Sequence, residues 1–470
     1  VNTLVGIGTT TPAWMLQIAS STGPQLALTD PNGGTNAKHG ILRFANGNFY
    51  IGTSSDALNA TSTFLTIAND ATKQIAIGNG AGGAELNTGL NTIAIGNSAL
   101  GIRSSKNGNG NIAIGQLAQY SNTGGADNVA IGNSALYSNS TGNENTAVGL
   151  NALQSNSADG NAAFGAYALA ANNTGTNNVA VGYGAAANNI TGVYNNVLGF
   201  QAMNSNISGS YNSVLGGWSL ISNTTGSYNT ALGYQALRNN QTGSSSVAVG
   251  WWALYGTTGA SSTALGTWAG TTTTTGIYNT FLGAESDAGL GTLSYSTAIG
   301  AGAIVNKSNA MVLGGVGNQY GVTVGIGTTT PNWLLQLSSS TAPQLALTDP
   351  SGGTNTKHGI IRFANGNFYF GKAVDALNST STLLTILSSG DVGVGSTTPA
   401  AQLSVGDNSV VNKLALSVYK TGGYFNVGSS TSDSPDLSYS WNTLNGLSDG
   451  YSAAQFTLPS GSTVGSQGTF

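Results

Sequence analysis

The sequence predicts an all-β repeat solenoid, or β-roll, flanked by duplicated β-rich modules, and three observations carry that prediction. A short phrase, Asn-x-Ala-(Val/Ile/Leu)-Gly, returns from residue 74 to residue 314, most steps being 17 residues and a few 16, 18 or 19. A period this short and regular means coils stacked on one another. Residues 5–67 return at 324–386, offset by 319 and identical at most positions. Finally, only 28 of 470 residues are charged (12 basic plus 16 acidic), yet 40% are apolar and recur in register, which a disordered chain would not show.

Four regions follow: a β-rich module at 1–70, about fifteen ladder coils at 71–316, a second module copy at 317–390, and a tail at 391–470. In the first module Trp14, Leu16 and Ile18 alternate as one strand face, and 25–29 makes another strand closed by the turn signal 30–34. Asn46-Gly47 lies between two apolar runs as a hairpin signal. The opening Val5-Gly-Ile-Gly-Thr-Thr-Thr-Pro12 recurs at Val324 and, clipped, at Val392-Gly-Val-Gly-Ser-Thr-Thr-Pro399. The tail from 402 on is Ser- and Gly-rich and reads only as β-rich.

Each ladder glycine, among them Gly96, Gly132, Gly149, Gly182, Gly199, Gly216, Gly233 and Gly250, follows a large apolar residue, itself preceded by Ala or Val. The glycine reads as a backbone device, placed where a Cβ would clash or φ is positive. The two residues before it point to opposite strand faces, one large and one small. A coil has one interior, so the alanine column beside the aliphatic one implies that several stacks share a core around an axis. Fifteen coils at about 4.8 Å give a rod on the order of 70 Å, its ends covered by the flanking modules.

Composition excludes several functions. The net charge of −4 offers no basic patch, so nucleic acid is not an expected partner. Without cysteine there are neither disulfides nor thiolate metal sites, which allows an extracellular location without showing one. No apolar run is long enough to span a membrane as a helix. The chain starts at Val1 with no charged leader, so a signal peptide is expected to have been removed or never included.

A catalytic site needs converging titratable groups, and the carboxylates are scattered; only Glu285/Asp287 and Asp433/Asp436 lie close. No hydrolase or calcium-repeat signature is present, so neither enzyme activity nor a cofactor is expected. The two histidines, His39 and His358, occupy the same place in the module copies: strand-end residues, or a ring of three at a threefold axis holding an ion. Two aromatic columns follow the period. Tyr194, Tyr211 and Tyr228 form one, and Trp218, Trp251 and Trp252 stand by the other, as structural ladders or as a glycan-binding platform. Asn189, Asn206, Asn223 and Asn240 open Asn-x-Ser/Thr triplets, which read either as glycosylation acceptors or as turn chemistry.

At the ladder, with Asn91-Thr-Ile-Ala-Ile-Gly96 nearest, the sequence resembles the head region of trimeric autotransporter adhesins. The resemblance covers roughly half the chain and implies a left-handed parallel β-roll, three chains per rod, exposed at a cell surface for adhesion. Many repeats are one residue shorter before the glycine, and neither a heptad stalk nor a strand-built membrane anchor follows. The Gly-Ile-Gly-Thr-Thr-Thr-Pro modules resemble segments of phage tail-fibre and other bacterial fibre proteins. The expectation is a homotrimeric, adhesive, extracellular or cell-surface fibre subunit contacting host-surface or matrix glycans or proteins. The alternatives are a receptor-binding tail fibre on a virion surface, or a filament of copies joined end to end. An ice-binding face of Thr columns is the weakest reading, since Asn, Ser and Val interrupt it.

Overall fold

A computed structural model describes residues 4–19, 26–29, 39–45, 48–54, 61–68, 75–82, 91–101, 108–315, 322–339, 345–348, 358–373, 380–399 and 402–405. The expected turn at 30–34, the Asn46-Gly47 pair, Asp433/Asp436 and the tail beyond 405 lie outside them. The described residues are all-β, and the chain divides into two compact units, Val1–Ala346 and Leu347–Phe470.

The first unit opens with a parallel pair, β1 (Val5–Ile7) and β2 (Leu16–Ile18). Next come β3 (Leu26–Thr29), β4 (His39–Ala45), β5 (Asn48–Ser54) and β6 (Thr61–Ala68), paired antiparallel in order. The solenoid runs through thirteen three-residue strands, β7 (Ile75–Ile77) to β19 (Thr280–Leu282), then β21 (Thr297–Ile299) and β23 (Met311–Leu313). Each pairs in parallel with the next, one coil along. Two-residue strands, β20 (Asp287–Ala288) and β22 (Ile304–Val305), add a short second ladder. The sequence boundary at 70/71 is crossed by pairing: β6 joins β7 antiparallel, with Thr66 opposite Ala76. Module and solenoid therefore share one hydrogen-bonded series, and the first coil has no open edge on that side.

The second module begins with β24 (Val324–Ile326) parallel to β25 (Leu335–Leu337). A six-stranded sheet follows, in the order β26 (Leu345–Thr348), β27 (His358–Ala364), β28 (Asn367–Ala373), β29 (Thr380–Ile386), β30 (Val392–Val394) and β31 (Leu403–Val405). Its β27–β28 turn is Asn365-Gly366, with φ of 52° and 81°, the left-handed pair that a two-residue hairpin requires.

One coil, 195–211, shows why the period exists. Gly199 has φ 146°, and a Cβ on it would lie 2.4 Å from the Gly216 carbonyl oxygen of the next coil. The chain leaves the strand there, and a side chain would push the coils apart. Asn195 and Asn206 are completely buried and form two amide ladders. Asn195 Nδ2 donates to Asn178 Oδ1 (3.1 Å) and to the Gly209 carbonyl (2.9 Å), while its Oδ1 accepts from Asn212 N (3.0 Å). Asn206 Nδ2 donates to Asn189 Oδ1 (2.6 Å) and to the same Gly209 carbonyl (2.9 Å). A buried amide is tolerable only when its donors and acceptor are satisfied, and stacking identical coils satisfies them repeatedly. That is the physical basis of the Asn-rich composition.

The apolar faces are the reverse of the expectation drawn from the alanine column. The small residue of each strand points into the coil: Ala130, Ala147, Ala180 and Ala231 are fully buried. The large one points out: Leu198 is 44% exposed and Leu265 48%. The reason is volume. The residue four past the ladder glycine, such as Leu136, Leu153, Met203 or Leu237, already fills the interior from the opposite side. Where Phe281 replaces the alanine, that opposing position in the preceding coil is Gly270, and a Cβ there would come 2.7 Å from Phe281 Cδ2. The cross-section admits one large side chain per level.

Left-handed backbone is not confined to glycine. In the coil 195–211, Gln201 (φ 50°), Met203 (50°) and Tyr211 (59°) adopt it. Each costs about 1–2 kcal/mol, which the surrounding packing and hydrogen bonds must offset.

Two stability outcomes follow. Gly216→Ala places a Cβ 2.4 Å from the Gly233 carbonyl, whereas Gly217→Ala meets nothing nearer than 3.6 Å. In urea unfolding the first is expected to lose about 2 kcal/mol or more and the second almost nothing. Gln119 sits fully buried in the Leu column with Nε2 on Asn111 Oδ1 (2.9 Å) and Oε1 without a partner. Gln119→Leu is expected to raise stability by about 1 kcal/mol, because it removes an orphaned carbonyl and leaves Asn111 Oδ1 with the Asn128 amides.

Candidate binding surface

The sequence-selected aromatic residues fall into two strips, one on each side of the three-residue strand in the chain path. Tyr194, Tyr211 and Tyr228 lie five residues before a ladder glycine, at left-handed positions with φ of 55°, 59° and 61°. Their rings stack at 5.2 and 5.1 Å with interplanar angles of 12° and 0°. Tyr278 and Tyr295 form the same contact further along, at 5.1 Å. Parallel stacking at one ring per coil turns the π faces toward each other. A sugar ring needs an exposed aromatic face to lie on, so Tyr211, stacked on both sides, offers only its ring edge and hydroxyl, while Tyr194 and Tyr228 each keep one face outside the stack.

The second strip follows the ladder glycines. Tyr183 stacks on Phe200 (5.6 Å), and Trp218 stands edge-on between Phe200 and Tyr234 at 5.5 Å from each. Trp218 Nε1 donates to Gln201 Oε1 (2.8 Å), which fixes the indole. Trp251 lies 5.7 Å from Trp252 and from Trp268, at tilted angles. Trp252 also contacts Tyr255, whose ring carries the Arg238 guanidinium 5.5 Å away. These contacts are tilted or edge-on rather than parallel; Trp251 is 47% exposed, much like the tyrosines of the first strip, and Trp218 and Trp252 are half-buried.

Between the strips lies the surface that sequence reasoning assigned to the interior. The outward aliphatics are half exposed in coil after coil, and Val179, Val181, Leu198, Leu215 and Leu232 line a shallow apolar groove of about 400 Å³. The large residue before every ladder glycine was the available signal. Its side was misassigned because alternation does not say which face is inside. The Tyr120–Tyr137 stack (5.4 Å) was also missed, although its 17-residue spacing is legible in the sequence.

Asn189, Asn206, Asn223, Asn240 and Asp287 have structural contacts. Asn189, Asn206, Asn223 and Asn240 are fully buried. Each Nδ2 donates to the carbonyl of the glycine three residues on, at 2.8–2.9 Å, and to the asparagine one coil back, at 2.6–3.5 Å. With both amide hydrogens engaged and the side chains buried, these triplets read as turn and ladder chemistry rather than as glycosylation acceptors. The Asp287 carboxylate accepts from Thr271 Oγ1 (2.9 Å), Thr272 N (2.9 Å) and Ala288 N (2.7 Å), tying β20 to the preceding coil. His39 opens β4 as His358 opens β27, and His358 Nδ1 lies 2.8 Å from Thr348 Oγ1. Among the described residues no group of three or more His, Asp or Glu gathers as a metal site. No family model and no curated protein matches the chain.

Tyr211 is stacked on both sides and Tyr194 on one within the trio. Tyr211→Ala is therefore expected to cost about 1–3 kcal/mol in denaturant titration and Tyr194→Ala about half that. Equal losses would show that the stack does not stabilise the coils.

Proposed function

We propose that the chain is a structural subunit of an extracellular fibre, in which the solenoid associates with copies of itself, three to a rod, and serves an adhesive role. The supporting observation is the stripe of outward aliphatics. One half-exposed Ile, Val, Leu or Phe per coil leaves apolar surface on the order of 1,000 Å², beyond the few hundred that monomers expose and within the range of a specific interface. The occupant most compatible with a flat, repetitive and nearly uncharged stripe is another surface with the same repeat, since coil spacing then matches level by level. The number three and the place outside the cell rest on the resemblance to the adhesin heads. Adhesion would fall to the Trp-containing strip, whose rings pack at tilted and edge-on angles.

Leu215→Asp with Leu232→Asp sets two carboxylates in the stripe, while Thr225→Asp adds a charge on an exposed turn away from it. In sedimentation equilibrium the native chain and Thr225→Asp are expected at three times the chain mass, and the double variant at one. A native chain that sediments as a monomer at all concentrations removes the trimer proposal.

A further inference from the structure

Three side-chain columns join each coil of the solenoid to the next, and all three lapse at the same two levels. The first amide column runs from Asn111 to Asn229 without a break, then continues as Ser246 and Ser262 before Asn279. The second runs from Asn122 to Asn240 and continues as Thr257 and Thr273. The tyrosine stack ends at Tyr228, gives way to Ser245 and Ser261, and resumes at Tyr278.

Bonding between coils thins accordingly. Asn212 N and Nδ2 both donate to Asn195 Oδ1 (3.0 Å each), and Nδ2 also donates to the Gly226 carbonyl (3.0 Å). A serine offers one hydroxyl where asparagine has a two-donor amide and a carbonyl. Ser262 N donates to Ser246 Oγ and Asn279 N to Ser262 Oγ, each at 3.3 Å. The bond from Asn229 Nδ2 to the Gly243 carbonyl (2.9 Å) has no counterpart from either serine. In the second column Thr257 Oγ1 donates to the Thr273 carbonyl (3.2 Å), while Thr273 Oγ1 is buried with no partner. An unmet buried hydroxyl costs stability that a satisfied ladder amide does not.

On the outside, the same levels carry the tryptophan cluster. Trp251 and Trp252, in the coil that starts at Gly250, lie 5.7 and 6.3 Å from Trp268 in the next. Trp252 packs on Tyr255 (4.9 Å), whose hydroxyl accepts from Arg238 Nη1 of the coil before. The cluster therefore bridges the three coils whose inner columns lapse. Trp218 holds the same place after its own ladder glycine, but beside intact columns.

A stack of repeats owes its stability to each coil and to the contact between neighbours, so it parts first where that contact is poorest. We infer that coils 246–279 are a built-in opening level of the solenoid, latched from outside by the Trp251–Trp252–Trp268 cluster in place of the amides that hold the other coils from inside. Opening there leaves the columns from Asn111 to Asn229 whole. The inference is independent of the self-association reading, because it concerns bonding along one chain.

Native-state amide exchange on the full chain tests it. The amides of 246, 262 and 263 are expected to be about tenfold or more less protected than those of 195, 212 and 213. Ser246→Asn with Ser262→Asn, which rebuilds the first column, is expected to remove most of that difference. Asn195→Ser with Asn212→Ser is expected to create the same loss of protection at 195–213. For the latch, Trp252→Ala is expected to lower protection at 246–263 by a further tenfold or so, and Trp218→Ala to leave 212 and 213 nearly unchanged. Equal protection of the two sets in the native chain overturns the proposal. So does a difference that neither pair of substitutions alters, which would trace it to the nearer end of the solenoid. Equal losses on Trp218→Ala and Trp252→Ala overturn the latch, since packing alone would then account for both.

Discussion

Everything in the solenoid depends on how closely one coil lies on the next at the ladder glycine. The amide of Gly149 donates to the Ile131 carbonyl (2.8 Å), and that of Gly216 to Leu198 (2.8 Å), so the backbone bonds between coils run through these residues. Their Cα atoms then face the carbonyl of the following coil with no room for a side chain. That contact fixes the register of every other column. Asparagine amides meet their counterparts, and tyrosines stack, only because this spacing is held.

The interior is polar and apolar in alternating stripes. Alanine and leucine or methionine fill the middle, and the two asparagine ladders close the corners, each amide satisfied by the coil before or after it. An asparagine of this kind is costly in isolation and harmless in a stack, since desolvation is met by a hydrogen bond at every level except the ends. The ends therefore matter more here than in a globular core. At the first coil the end is closed by β6, an antiparallel strand of the flanking module. The same edge in the second module closes on β30 instead, so one acceptor strand serves two kinds of neighbour.

The outer surface divides in the same columnar way. Stacked tyrosines turn inner ring faces to one another, the Trp-containing strip packs at tilted and edge-on angles, and between them runs a half-exposed aliphatic stripe. Construction explains the first. The proposed function assigns self-association to the stripe and contact with other molecules to the tryptophans.

The sequence by itself determined the all-β class, the coil period, the glycine column and the duplicated module, because each is a local requirement repeated often enough to be read. Backbone approach demands glycine, and a two-residue hairpin demands Asn-Gly. What lies inside was decided only by the tertiary structure. Alternation at Val197-Leu198 or Ala231-Leu232 says that the two residues face opposite ways, but the side that is buried depends on the leucine or methionine across the coil, six to twelve residues away in sequence. The same holds for Asn206, whose triplet reads as an acceptor on a surface turn and whose burial comes from its neighbours at 189 and 223. Nor does any local signal put Leu153, Met203 or Trp218 in the left-handed region. Their own preferences oppose it, and only stacking of whole coils holds them there.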